Sequence, residues 1–174
     1  MTSLTRSIAG FVAGFSRQDI PAASLTLARE AFVDLVGVML AGSNEPVVHI
    51  LTTTTAGDMA GPTCSVLMNA RVRRSAKAAS LVNGTAAHAL DFDDVQFNAH
   101  PSTVLVPAIL AEAERGGASG LQACKAYVLG YEVWGELHGR EKNPYHDKGW
   151  HPTAVMGPVA ATAAVAFLRG LDLE

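Results

Sequence analysis

The chain has 174 residues, a net charge of −3 and a pI near 6.0. That is one domain's length, enough to bury a core, with no basic face for nucleic acid. Hydrophobic residues make up 49% of the chain and charged residues 17%, and no uninterrupted apolar run reaches the length of a membrane span.

The first expected element is an amphipathic helix over 3–15, with Leu4, Ile8, Phe11, Val12 and Phe15 at helical spacing, unlike a signal peptide. A second helix runs over about 21–41, with Leu25, Ala28, Phe32, Leu35, Val36 and Met39 on one face and Gly42 as its stop. Residues 45–56 read as a third helix, weakened by the β-branched run Thr52–Thr55. Gly61-Pro62 breaks the chain, and 64–68 reads as a short strand or extended piece. Ser75 opens a helix over 76–90 built from small residues, which permit close helix approach and a central position. Further helices follow over 103–113, ending at Gly116-Gly117, and from Ser119 to about His138, where Ser119 and Gln122 have capping-box form. A polar loop covers 139–150. The last helix lies within 153–169, with Pro158 in its first turn or kinking it, and Gly170 as its stop. The expected fold is therefore an all-α multi-helix bundle. Leu171-Asp172-Leu173-Glu174 reads as the opening of another helix, so the chain is expected to be cut from a longer protein. Cys64 and Cys124 are too few for a disulfide scaffold and lack metal-ligand spacing. Both read as small buried residues in a reducing, cytoplasmic setting.

The chemistry concentrates between Asn83 and Ser102, NGTAAHALDFDDVQFNAHPS. Two histidines (His88, His100) and three carboxylates (Asp91, Asp93, Asp94) sit there beside small apolar residues, and burying such groups is costly without a function or full pairing. His88 and Asp91 are three apart and share a helix face. An aspartate crowded by carboxylates and apolar walls suits proton abstraction, and His100 can donate or relay the proton. Asp94 is the best candidate for a purely structural cap. The set would also suit a divalent metal, although no further ligands recur at metal spacing. The tripeptide His100-Pro101-Ser102 is echoed by His151-Pro152-Thr153, each before an apolar helical run. Proline and a hydroxyl residue open helices, so each histidine stands at a helix N-terminus, where free amides and the dipole attract anions. Two such ends, with Ser102 and Thr153, would receive the carboxylates of a di- or tricarboxylate. The competing structural reading is two ordinary helix starts. Lys148, with Lys142, Tyr145 and His146, forms a polar rim that could meet an anion but reads chiefly as a solvated loop. A phosphate loop and a nucleophile elbow are both absent.

At these residues the chain resembles the MmgE/PrpD family. The resemblance rests on NGTAAHALDFDDVQFNAHPSTVLVPAILA at 83–111 and GWHPTAVMGPVAATAAVAFLRGLD at 149–172, and it spans the N-terminal part of that family's large helical domain. It implies an enzyme for small polycarboxylates, working by proton transfer next to a carboxylate without metal or organic cofactor, since the family includes dehydratases, decarboxylases and epimerases. By likeness, Asp91 matches the motif aspartate, and His100 and His151 the two active-site histidines. From the residues themselves, His88, Ser102, Thr153 and Lys148 are the expected substrate-binding residues. Val95 stands where the decarboxylases carry threonine, and the stretch before His100 lacks the tryptophan-containing insert of the dehydratases. The reaction among these is therefore not fixed. The resemblance further implies a homodimer and a smaller α/β domain, which this chain does not contain. The alternative expectation is a non-catalytic helical subunit that needs a partner chain.

Overall fold

A computed structural model of the chain describes residues 3–15, 20–67 and 72–172. Among them the order is α1 (Leu4–Gly14), α2 (Ala22–Gly42), α3 (Pro46–Thr54), β1 (Thr63–Ser65), β2 (Arg73–Ser75), α4 (Ala76–His88), α5 (Pro101–Gly116), α6 (Gly120–Arg140) and α7 (Pro152–Leu168). The all-α expectation holds, apart from the small antiparallel β1–β2 ribbon. No helix among the described residues is long and apolar enough to cross a membrane.

Helix α5 is the hub, packing against α2, α4, α6 and α7. Its Leu105, Val106 and Ile109 meet Leu129, Val133 and Trp134 of α6, Met156 and Ala160 of α7, and Leu35 and Met39 of α2. Each such buried side chain contributes roughly 1.5–3 kcal/mol of transfer free energy. A second cluster, with Val48, Cys64, Val66, Val82 and Ala111, joins α3 and the ribbon to α4 and α5. Small residues set the close approaches. A Cβ on Gly42 would stand 2.1 Å from the Ala86 carbonyl oxygen, so α2 and α4 touch backbone to backbone.

Several starts follow the sequence. Ser75 caps α4, and Ser119 with Gln122 forms the full capping box of α6. Helix α5 begins two residues before the expected Thr103, because Pro101 takes its first position. Helix α7 likewise opens on Pro152, and Pro158 lies inside it beyond the first turn. Pro107 occupies the same place in α5, so the echo extends over HPSTVLVP and HPTAVMGP. Strand β2 was unexpected. Arg73-Arg74-Ser75 has no apolar alternation, and it extends by pairing with Thr63–Ser65. Met68, at the end of the expected strand, and Leu173 and Glu174, in the expected extra helix, lie outside the described residues.

The far ends of α5 and α7 are tied by a buried acid. Glu112 accepts hydrogen bonds from Arg115 Nε (3.0 Å) and from Arg169 Nε and Nη2 (2.9 and 3.1 Å). Burial pushes its carboxyl up, but the two guanidiniums outweigh burial and bring it down to about 2.

Candidate active site

Helix α4 ends on His88, and His100 is the N-cap residue of α5. The loop between them is bent by three non-glycine residues with positive φ: Asp91 (56°), Phe97 (58°) and Asn98 (53°). Phe97 and Asn98 turn a minimal hairpin closed by the Gln96–Ala99 bridge. The reversal at Asp91 leaves Phe92 exposed and turns Asp93 inward. Asn83, at the start of the motif, ties α4 to the end of β1. Its amide accepts from Leu67 N–H (2.9 Å) and donates to the Ser65 carbonyl (3.0 Å).

Asp93 is the centre of the cluster, its side chain fully shielded from solvent. Its carboxylate meets His88 Nδ1 at 2.9 and 3.2 Å and His100 Nδ1 at 3.2 Å. Asp91 stands at the mouth, 76% exposed, with Oδ1 at 3.7 Å from His100 Nε2 and 3.9 Å from His88 Nδ1. The two imidazoles pack edge to face at 4.6 Å. Each of the four residues offers a ligand atom within 4.8 Å of the others, a donor set that would also fit a divalent cation.

Helix α7 docks here through Thr153, whose hydroxyl accepts from His100 N–H (3.1 Å) and so joins the two His-Pro helix starts. Asp94 caps α5, accepting from Ser102 N–H (3.1 Å). Ser102 is buried, and its hydroxyl shares a 2.8 Å hydrogen bond with Tyr127 Oη. Burial raises the Asp94 carboxyl above its ordinary range, against the lowering effect of the Ser102 hydroxyl and amide. Burial also raises Tyr127, and pushes Tyr131 up to about 12 with help from the Asp94 charge.

The structure therefore brings His88, Asp91 and His100 together, with Thr153 bonded to the backbone of His100 and Ser102 turned into the core behind it. His151 and Lys148 have other neighbours. His151 is the exposed N-cap residue of α7 with its ring 6.0 Å from that of His146, and Lys148 pairs with Glu141 at 2.6 Å. Sequence reasoning left Asp93 without a role. The Asp-x-Asp spacing held the only signal, and its meaning depends on the turn at Asp91. Beside the cluster, a groove of about 630 Å³ between α4 and α5 is lined by Ser80, Gly84, Thr85, His88, Thr103 and Thr153, among others.

The model of the MmgE/PrpD N-terminal domain matches residues 6–174. The chain is 29% identical to the cis-aconitate decarboxylase of Mus musculus and 28% to that of Homo sapiens, each over 99% of this chain. It is 30% identical to the cis-aconitate decarboxylase-like protein oryM of Aspergillus oryzae, over 98% of this chain. In each case it spans 37% of the relative's length.

Proposed function

The chain belongs to the MmgE/PrpD family, and we propose that it carries part of the site of a lyase or isomerase for a small polycarboxylate, which moves a proton at the carbon next to a carboxylate without metal or organic cofactor. The observation that carries this reading is the junction of α4, α5 and the first turn of α7, where Asp91 and His100 face each other at 3.7 Å. Asp91 and His100 handle the proton. As charge develops on the substrate carboxylate in an enediolate-like transition state, the N-termini of α5 and α7, with His151 at the start of α7, offset it, while His88 helps to hold the substrate. Ser102 and Thr153 act by holding those helix ends, and Lys148, which pairs with Glu141, is assigned to a substrate carboxylate. The names of the relatives make cis-aconitate the first substrate to try.

The test is turnover of cis-aconitate, citrate and 2-methylcitrate by the gene's entire product. Replacing Asp91 by Asn, or His100 by Gln, is expected to lower the rate by ~10²-fold or more. Unchanged turnover in either variant removes that residue from the mechanism. We also propose that the protein works as a homodimer or with a partner chain. Support comes from the exposed Val33 and Leu40, seven residues apart on one face of α2, where apolar surface favours association. Light scattering that finds a monomer speaks against it.

A further inference from the structure

We infer that Asp93 is a positioning residue, one buried carboxylate that fixes which nitrogen of both His88 and His100 carries the hydrogen. The inference deepens the proposed function, and its catalytic consequence rests on that reading. Both rings turn Nδ1 to the same carboxylate, at 2.9 Å for His88 and 3.2 Å for His100. A carboxylate only accepts, so each neutral ring holds its hydrogen on Nδ1 and keeps its lone pair on Nε2. For His100 the geometry allows little else. Its Nδ1 is closed off from solvent without a well-aligned hydrogen bond, and Asp93 Oδ2 is the acceptor within reach. Such bonds often align fully only once substrate is bound.

The consequence falls on Nε2 of His100, which lies 3.7 Å from Asp91 Oδ1. With Nδ1 already holding a hydrogen, Nε2 is the atom that can take a proton from substrate. The imidazolium so formed sits between two carboxylates, Asp93 behind it and Asp91 in front. His88, held by the same Asp93, presents a second ring with its Nε2 also unprotonated. Without Asp93, either ring could adopt the opposite tautomer, and Nε2 of His100 would no longer be a base.

The test is ring ¹⁵N NMR on the labelled protein at a pH above the imidazole range, with signals assigned through His88→Gln and His100→Gln. Both rings are expected to be Nδ1–H tautomers in the unaltered protein. An Nε2–H tautomer on either ring overturns the inference, and this reading needs no variant to fold. In Asp93→Asn the amide can donate to Nδ1, so at least one ring is expected to switch, while Asp94→Asn leaves both unchanged. Unswitched rings in folded Asp93→Asn also overturn it. Turnover by Asp93→Asn is expected to fall by ~10²–10⁴-fold, in kcat more than in KM. Switched rings with normal kcat would leave the tautomer control standing and overturn the role proposed for His100.

Discussion

The buried acid that joins the far ends of α5 and α7 gives the most quantitative expectation. These two helices carry His100 and His151 at their near ends, so their register matters to the site. Glu112 has a side chain 6% exposed and holds Arg115 and Arg169. Its carboxyl is brought from 4.5 to about 2. At about 1.4 kcal/mol for each tenfold change in proton affinity, that fall corresponds to about 3 kcal/mol. The folded state lowers the proton affinity, so the stabilisation is present above 4.5 and is lost as the pH falls from 4.5 towards 2. Glu112→Gln is therefore expected to unfold at lower urea concentration at neutral pH. It should lose about 3 kcal/mol, since both guanidiniums lose their charge partner. The assay is urea unfolding of both proteins at several pH values. The gap between them should close over that acid window while other carboxylates titrate alike in both. A gap of constant size down to the most acid pH would refute the reasoning.

Gly42→Ala should destabilise by about 1–3 kcal/mol or more, because its Cβ meets the Ala86 carbonyl at 2.1 Å and backbone must move. Gly37→Ala, in the same helix with nothing within 4 Å, should stabilise by roughly 0.5–1 kcal/mol. Thermal unfolding of the pair checks the packing, and equal shifts would contradict it. Asp94→Asn keeps an oxygen for the Ser102 amide and removes a buried carboxyl whose proton affinity burial raises. A group raised on folding contributes stability below its ordinary 3.8 and loses it as the pH rises, so the variant should be the more stable at neutral pH but not in acid. A less stable variant at neutral pH would contradict that account.

The helices were legible because their signals are local. Ser75, Ser119 with Gln122, Pro101 and Pro152 each mark a start within a few residues, and α2 buries Ala28, Leu35 and Met39 from the face read in advance. Strand β2 was not legible, since three polar residues become a strand only through their partner. The site was legible as a composition and partly as an arrangement. His88 and Asp91 do approach to 3.9 Å, but Asp91 lies beyond the end of α4 with positive φ and not on the shared helix face that their spacing suggested, whereas the His-Pro echo placed His100 and His151 at helix starts. The pairing of both rings with Asp93 depends on the positive φ of Asp91, to which neither periodicity nor capping rules point. The inward turn of Ser102 depends likewise on Tyr127, twenty-five residues away.

Deuterium incorporation tests the central claim most directly. The gene's entire product is incubated with cis-aconitate in D₂O, and the carbon next to the reacting carboxylate is followed by proton NMR. Deuterium should enter that carbon with the unaltered protein, and its rate should collapse in Asp91→Asn and His100→Gln. Incorporation that proceeds at the same rate in both variants would contradict the assignment of proton transfer to this pair.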